Sequence, residues 1–335
     1  MNATHADRVA ALADRIPPAL YQGTDGQAVR PCTPPHVTER HLRLLDVREG
    51  MKVLEIGTGS GLSAAWLAEL AGPTGLVTTV ESDRGRYERA RHLLDLHDSG
   101  VLAVHGDGFK GSLDRAPFHR IFAGATPSLI PDAWLHQLVP GGQLLTGVRI
   151  SGLPGAYAIA CVTVGDGGQP AAVTVHAGGY TPMDIPPPYG TTISNEEDGD
   201  HALTVTGDVD DIDLSRSFDA LMDPGYTEKH DWADGWLHLK NWIIACNPDG
   251  LAVASVPAGT GVGVVKGRHA AIATDEGIIT DSINSPAAEE LNGMMATWIA
   301  AGEPETERLA ATLIRRDAGW AVLLQLPANG MVTTG

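Results

Sequence analysis

The stretch Val53-Leu-Glu-Ile-Gly-Thr-Gly-Ser-Gly61 decides the fold of this chain. An apolar strand carries Glu55 near its end, three glycines alternate with Thr58 and Ser60, and a helix-forming run follows from Leu62 to Leu70. Glycine lets the backbone approach a ligand closely and adopt turns that a Cβ forbids. A helix that starts at such a turn presents free N–H groups and the positive end of its dipole to a ligand. The pattern therefore predicts a strand–turn–helix unit with a ligand site at the turn.

Two further turns follow the glycine-rich one. The predicted strand Gly75 to Val80 ends at Glu81, roughly twenty residues beyond the glycines, where a carboxylate accepts hydrogen bonds from ribose hydroxyls. A third predicted strand, Val101 to His105, runs into Gly106-Asp-Gly108, a polar turn suited to an adenine edge. Glu81 alone is equally compatible with a solvated charge at a helix start. Because the last two glycines lie closer together than in the dinucleotide fingerprint, the three turns together favour S-adenosylmethionine as the cofactor.

Predicted strands and helices alternate along the first half of the chain, which is typical of an α/β fold. The remaining predicted elements there are a helix over Arg84–Leu96, a strand over Ala116–Phe122, a helix over Asp132–Leu138 and strands over Gln143–Val148, Ala156–Val164 and Ala171–His176. We therefore predict a Rossmann-like, doubly wound and mostly parallel sheet, with its ligand crevice at the carboxyl ends of the strands.

The Pro-rich run Met183-Asp-Ile-Pro-Pro-Pro-Tyr-Gly190 cannot continue a sheet, because proline lacks the N–H donor. We place a domain boundary there. The predicted regions are an N-terminal helical segment at the substrate mouth (1–50), a cofactor-binding core (51–185) and a C-terminal α+β extension (186–335). The predicted elements of the extension are strands over Leu203–Val205, Leu251–Val256, Gly261–Val265 and Trp320–Leu326, and helices over Asp231–Ala245 and Ala287–Ala301.

Composition excludes several classes of partner. The 335 residues include 23 Lys and Arg against 41 Asp and Glu, a net charge of −18, and this acidic surface repels a phosphate backbone. The three cysteines lack the paired spacing of a metal site or disulfide framework. The acidic run Asp208 to Asp213 lacks the glycine and terminal glutamate of a calcium loop. No signal peptide or membrane span is evident. We expect a cytoplasmic protein with no metal, nucleic-acid or membrane partner.

Residues from about Thr33 to Pro182 resemble the protein-L-isoaspartate O-methyltransferase family. Besides the glycine turn, the matching pieces are Gly106-Asp-Gly-Phe-Lys-Gly111, Ala116-Pro-Phe-His-Arg-Ile121, Ile130-Pro131, Gln137-Leu-Val-Pro-Gly-Gly142 and Tyr180-Thr-Pro-Met183. The family has a signature serine in a Ser-x-Pro-His segment, and Thr33 stands at that position here, in Thr33-Pro-Pro-His36. An alternative is that Thr33 only caps a helix that begins at Pro34. The preceding segment, Tyr21 to Pro31, departs from the family and indicates a changed substrate mouth.

The resemblance implies the site residues and the chemistry. Thr33 is the expected catalytic residue. The expected cofactor-binding residues are Cys32, Thr33, Thr38, Glu55, Gly57, Thr58, Gly59, Ser60, Gly61, Glu81, Ser82, Asp107 and Gly108. The family methylates a carboxylate with S-adenosylmethionine and releases S-adenosylhomocysteine. The methyl ester then closes to a succinimide, which opens to aspartate or isoaspartate. The expected partner is a peptide or protein that carries such a residue.

The extension adds about 150 residues beyond the part that resembles the family, comparable to a small domain. Members with such tails occur beside ribosomal peptide natural products of the lanthipeptide, lasso peptide or graspetide type, and methylate one aspartate of a cyclised precursor. We expect this branch. General isoaspartyl repair is the alternative, and a cofactor-binding scaffold without catalysis is a further one. The apolar stripe of Trp232, Trp236, Leu239 and Trp242 indicates core packing more strongly than a peptide-binding face.

Overall fold

The first part of the chain folds around a seven-stranded sheet in this computed structural model, which describes residues 4–22, 30, 32–184, 190–195, 200–232 and 235–327. Its strands are β1 (Lys52–Ile56), β2 (Leu76–Glu81), β3 (Leu102–His105), β4 (Phe118–Ala123), β5 (Leu138–Arg149), β6 (Tyr157–Val164) and β7 (Pro170–Ala177). Their spatial order is β3-β2-β1-β4-β5-β6-β7. Strands β1 to β5 pair in parallel, and β6 and β7 add antiparallel neighbours. This confirms the predicted Rossmann-like sheet.

Helices cover this sheet and precede it. They are α1 (His5–Ala10), α2 (Leu12–Arg15), α3 (Pro35–Leu45), α4 (Leu62–Ala71), α5 (Arg84–Leu96) and α6 (Asp132–His136). Neighbouring residues of β1 lie in different hydrophobic clusters, Val53 in one and Leu54 in the other, so both faces of the strand are buried. The helical N-terminal segment is also present, although residues 23–29 and 31 of the expected mouth lie outside the described residues.

The prediction was wrong where α6 meets β5. A helix was predicted up to Leu138 and a strand only from Gln143, but α6 ends at His136 and β5 begins at Leu138. The reason is tertiary pairing. The backbone N–H of Phe118 donates to the carbonyl of Gln137 at 2.7 Å, and Phe118 pairs with Leu138 across the sheet. The register between β4 and β5 then shifts at an irregularity before Arg120.

The C-terminal extension forms a second seven-stranded sheet in which every neighbouring pair is antiparallel. Its strands are β8 (Thr191–Ser194), β9 (Ala202–Val205), β10 (Tyr226–Lys229), β11 (Leu251–Val256), β12 (Gly259–Lys266), β13 (His269–Thr274) and β14 (Gly277–Thr280), in the order β10-β14-β13-β12-β11-β9-β8. Helices α7 (Leu214–Met222), α8 (Trp236–Cys246) and α9 (Pro286–Ala300) accompany it, and β15 (Ala310–Arg316) and β16 (Gly319–Gln325) form a separate hairpin.

The extension is richer in strands than predicted. Strands β8, β10, β13, β14 and β15 and helix α7 were not predicted, and the helix predicted from Asp231 begins only at Trp236. In β13, alanines hide the strand pattern, because alanine favours helices. Two glycines of β12 allow the close pairing: a Cβ on Gly261 or Gly263 would lie 1.9 Å from a carbonyl oxygen of β13.

A single hydrophobic cluster joins the two parts of the chain. It contains Leu54 and Leu144 from the first sheet together with Leu239 and Trp242 from α8. Leu239 and Trp242 of the predicted apolar stripe are therefore core residues, and Trp232 and Trp236 pack against the same cluster while partly buried. The segment 185–189, at the predicted domain boundary, lies outside the described residues. Among the described residues, no helix combines the length and apolar character needed to cross a membrane.

Candidate functional site

A cavity of about 640 Å³ opens at the carboxyl ends of β1, β2 and β3, within the size range typical of small-molecule sites. Eight of the predicted site residues line it: Cys32, Thr33, Gly57, Gly59, Glu81, Ser82, Asp107 and Gly108. A smaller cavity of about 80 Å³ shares four of these residues and adds three more predicted ones, Thr38, Thr58 and Ser60. Glu55 and Gly61 line neither cavity.

The glycine turn adopts backbone conformations that other residues rarely reach. Gly57, Gly59 and Gly61 have φ values of 88°, 53° and 93°. A Cβ on Gly59 would meet no protein atom within 4 Å, so this position faces the open space of the cavity. A Cβ on Gly61, by contrast, would lie 3.3 Å from the ring of Tyr21, and this residue caps α4. Gly59 thus leaves room for a ligand, whereas Gly61 serves the packing of the helix.

Glu81 is held in place by backbone donors. Its Oε2 accepts a hydrogen bond from Gly59 N at 3.0 Å, and its Oε1 accepts one from Asp83 N at 3.0 Å. Arg86 forms a longer ion pair with Oε1, at 3.3 Å from Nη2. A carboxylate offers about four lone-pair sites. Oε2 therefore keeps acceptor capacity, and the contact with Arg86 is long enough for a hydroxyl to replace it.

Glu55 lies beneath the glycine turn, fully buried. The Thr79 hydroxyl donates to its Oε2 at 2.6 Å, and Thr58 Oγ1 lies 2.6 Å from the same hydroxyl. Burial raises the pKa of Glu55 to about 7, although the hydrogen bond from Thr79 acts in the opposite direction. Glu55 therefore supports the turn from below instead of forming part of the cavity surface.

The third predicted turn forms another part of the wall. Asp107 Oδ1 accepts a hydrogen bond from Phe109 N at 3.0 Å, and the rest of its side chain is half-exposed. Gly108 is buried, and a Cβ there would lie 2.9 Å from Ile56 Cγ2. Its carbonyl accepts a hydrogen bond from Trp134 Nε1 at 2.8 Å. Glycine at this position lets the turn pack directly against the end of β1.

Thr33 approaches the site from outside the sheet. It is half-buried and lines both cavities, as does Cys32. The alternative that Thr33 only caps a helix starting at Pro34 was wrong: Pro34 itself is the N-cap, and α3 begins at Pro35 without a side-chain cap. Because Thr33 lies one residue before the cap, its hydroxyl is not committed to the start of the helix.

One side of the cavity was not predicted from the sequence. Residues Gly179–Met183, which we call the 179–183 wall, line it together with Gly124 and Ala125. Hydrogen bonds join these two segments: Thr126 N donates to the carbonyl of Thr181 at 2.9 Å, and Met183 N donates to the carbonyl of Thr126 at 2.8 Å. The Tyr180-Thr-Pro-Met183 resemblance was the available signal, but it indicated a strand end and not a site.

Comparison with known proteins agrees with the resemblance. Residues 24–153 match the family model described as protein-L-isoaspartate(D-aspartate) O-methyltransferase (PCMT). A protein-L-isoaspartate O-methyltransferase of Methanothermobacter thermautotrophicus is 44% identical over 125 residues, covering 37% of this chain and 56% of the relative. The enzyme of that name from Methanothrix thermoacetophila is 43% identical over 115 residues, covering 34% and 55%.

The chain spans about half the length of these curated relatives. A solved structure titled protein-L-isoaspartate O-methyltransferase covers 94% of both chains with 18% identity and a TM-score of 0.48. The family model matches the part of the chain that holds the glycine turn, Glu81 and Thr33. Residues 24–153 are therefore similar in sequence to the protein-L-isoaspartate O-methyltransferase family.

Proposed function

We propose that this protein transfers a methyl group from S-adenosylmethionine to a carboxylate of an aspartyl or isoaspartyl residue in a peptide or protein. The observation that carries the proposal is the single cavity that brings together the glycine turn, Glu81 and Thr33. The first two suit a nucleoside, and the third lies where the family has its signature hydroxyl. The 44% identity over this part of the chain supports the same activity.

The residues present fit the cofactor. Gly59 leaves open space where a Cβ would intrude, and Glu81 retains acceptor capacity for ribose hydroxyls. Asp107 and Ser82, on neighbouring turns, offer polar groups at the same end of the cavity. When bound, the cofactor supplies a methyl group on an electrophilic sulfonium, and the Glu81 carboxylate would hold its ribose.

The reaction needs alignment more than acid–base chemistry. An acceptor carboxyl group has a reference pKa of about 4 and is ionised at neutral pH. Methyl transfer to such a carboxylate would require no proton transfer by the protein. The protein therefore contributes mainly by holding the carboxylate in line, for which alignment alone can supply several kcal/mol. We assign this role to the Thr33 hydroxyl, which can donate a hydrogen bond to one carboxylate oxygen.

The finer proposal concerns the acceptor. We infer that the chain acts on one aspartate of a modified ribosomal precursor peptide, in the cytoplasm. The extension, the threonine in place of serine and the changed segment before Thr33 support this over general repair. Incubation with a linear isoaspartyl peptide and with a cyclised aspartyl peptide separates the two. Efficient methylation of the linear isoaspartyl peptide would instead establish the repair activity.

The role of Thr33 is tested by Thr33→Ala and Thr33→Ser at saturating cofactor. Loss of a hydrogen bond to a charged group is worth about 1.5–3 kcal/mol, so Thr33→Ala should lower kcat by about 10- to 100-fold. Thr33→Ser should retain most of the rate, and so should the control Thr191→Ala in the extension. Unchanged turnover in Thr33→Ala would reject the assignment. If the wild type binds S-adenosylhomocysteine but methylates no peptide, the scaffold alternative holds.

A further inference from the structure

A buried polar contact joins helix α3 to the 179–183 wall. His41 on α3 is fully buried, Tyr180 on the wall is 7% exposed, and Nδ1 of the first is hydrogen-bonded to the hydroxyl of the second. Their rings meet edge to face, with centroids 5.2 Å apart and planes at 76°. Tyr180 lines the large cavity, whereas His41 lines neither cavity. The contact therefore lies directly behind the cavity surface.

The surrounding groups define the direction of this hydrogen bond. Burial lowers the pKa of His41 to about 3, with further contributions from Arg40 and His176, so the imidazole is neutral. A neutral imidazole has one donor and one acceptor nitrogen. Arg40 Nη2 lies 3.5 Å from Nε2 and can only donate. These partners assign the proton to Nδ1, which donates it to the Tyr180 hydroxyl.

The contact links helix α3, which follows Thr33, to the 179–183 wall on the other side of the cavity. Thr33 lies two residues before the start of α3, and His41 lies within that helix. The backbone of Tyr180 is bound on its other side, where the Thr126 hydroxyl donates to its carbonyl at 2.8 Å and accepts from its N–H at 3.2 Å. Arg40 adds a second link by donating from Nη2 to the carbonyl of Ala177.

A glycine in a backbone conformation that other residues rarely adopt lies between helix α3 and the wall. Gly178 precedes the wall with φ of 133°, and a Cβ there would lie 3.3 Å from Arg40 Nη2 and 4.0 Å from His41 Nε2. The close approach brings both side chains of α3 against the segment that enters the wall. The side-chain contacts, the backbone hydrogen bonds and the glycine are therefore all consistent with close packing of α3 against the segment that enters the wall.

We propose that His41 is a positioning residue that sets the separation between Thr33 and the 179–183 wall, so that the acceptor peptide meets both at once. It acts through Tyr180 and touches neither substrate nor cofactor. The inference rests on the proposed function, since it assigns the acceptor to the space between Thr33 and this wall. The cofactor end of the cavity, at Gly59 and Glu81, is held by other contacts.

The test compares His41→Leu, His41→Asn and Tyr180→Phe with the wild type. A displacement of about 1 Å can lower a rate by about 100-fold, so His41→Leu should lower kcat/KM for the peptide by about 10- to 100-fold. The dissociation constant of S-adenosylhomocysteine, measured by calorimetry, should change by less than about threefold, since the ligand contacts at Glu81 remain. His41→Asn, whose amide can donate in place of Nδ1, should restore part of the loss. The hydrogen-exchange rates of the 177–183 amides should be higher in His41→Leu and Tyr180→Phe than in the wild type and His41→Asn.

Two results would overturn the proposal. The first is an unchanged kcat/KM in His41→Leu. The second is a parallel loss of cofactor affinity in His41→Leu together with faster hydrogen exchange throughout the chain, because this combination indicates general destabilisation. If the wild type methylates no peptide, the proposed function fails separately, and the positioning role fails with it. Hydrogen exchange then decides only whether the contact holds the wall. Equal protection of the 177–183 amides in wild type and His41→Leu would contradict that contact as well.

Discussion

The two sheets of this protein each have seven strands in the described residues, yet the two cavities described above lie at the first sheet. In the first sheet, β1 to β4 run in parallel, so their carboxyl ends and the turns that follow meet at one edge. In the second sheet, neighbouring strands alternate in direction, and their turns are divided between two edges. None of its described residues lines either cavity. Strand direction, more than strand number, determines where a site forms.

The two regions also differ in their buried polar residues. The buried carboxylates among the described residues, Glu55 and Glu81, both belong to the first sheet, whereas the buried polar residues of the extension are uncharged. The extension nevertheless holds segments next to the site. Glu307 Oε1 lies 2.7 Å from His176 Nδ1 on β7, and Arg315 pairs with Asp132 at 2.5 Å. The extension thus supports the cavity from outside.

The largest effect should come from breaking the packing between the two regions. Trp242 is 5% exposed in the cluster that both regions share, so Trp242→Ala should reduce the free energy of unfolding by about 3–5 kcal/mol. On the same helix, Leu237 is 40% exposed, and Leu237→Ala should change it by less than about 0.5 kcal/mol. Denaturant unfolding followed by both tryptophan fluorescence and circular dichroism measures this. Two separate transitions in the wild type would show that the regions unfold independently.

The second-largest effect on stability is expected at Glu55, a carboxyl group buried in the first region. The pKa of Glu55 is raised in the folded protein to about 7, so its folded state holds a proton more tightly than the unfolded chain. The stabilisation that this proton gives the folded state is fully present below the unfolded pKa of about 4.3 and is lost as pH rises towards 7. Glu55→Gln should therefore be more stable than the wild type at pH 8, by roughly 1–3 kcal/mol, and about equal near pH 4.

Melting temperatures of Glu55→Gln and wild type between pH 4 and 8 test this directly. The exposed Glu276→Gln, in the turn between β13 and β14 of the extension, is the matched control, and its difference from the wild type should stay nearly constant. A constant difference for Glu55→Gln as well would mean that the pKa of Glu55 is the same in the folded and unfolded protein. The contrast between the two regions would then not extend to buried charge.

The smallest effect is expected at the contact of the extension with β7. Burial alone would raise the pKa of Glu307, but the hydrogen bond and charge of His176 and a backbone hydrogen bond hold it below its usual value. The stabilisation is present above the unfolded pKa of about 4.3 and is lost as pH falls through the lower folded value. Because Glu307 is 36% exposed, Glu307→Gln should lose less than about 1 kcal/mol at pH 7. Urea unfolding at pH 7 and pH 3 measures it, and a loss that persists at pH 3 would contradict the assignment.

Local signals were enough to predict part of this structure. Helix α5 has the bounds expected from the sequence, with Asp83 as N-cap accepting a hydrogen bond from Arg86 N at 2.8 Å. The glycine turn and Glu81 likewise meet in one cavity, because both follow strands that run in the same direction. In these cases the signal lies within a few residues of the element that it predicts.

Long-range contacts account for what was missed. The His41–Tyr180 contact joins residues 139 positions apart, and no pattern around either residue indicates the other. The start of β5 depends on its pairing with Phe118, and β13 depends on the glycines of β12. Tertiary pairing overrides local propensity in both strands. Sequence patterns thus located the cofactor end of the cavity better than its opposite wall.

The position of β7 has a consequence for any attempt to shorten the chain. This strand is the last in the first sheet, and β15 and the 306–308 segment pack along it. A chain cut after residue 184 would leave its outer backbone donors and acceptors open to pairing with strands of other molecules. It would also expose apolar side chains that now face α8, among them those of the shared cluster. Such a fragment should self-associate, so that the hairpin and helix α8 of the extension protect the first sheet against aggregation.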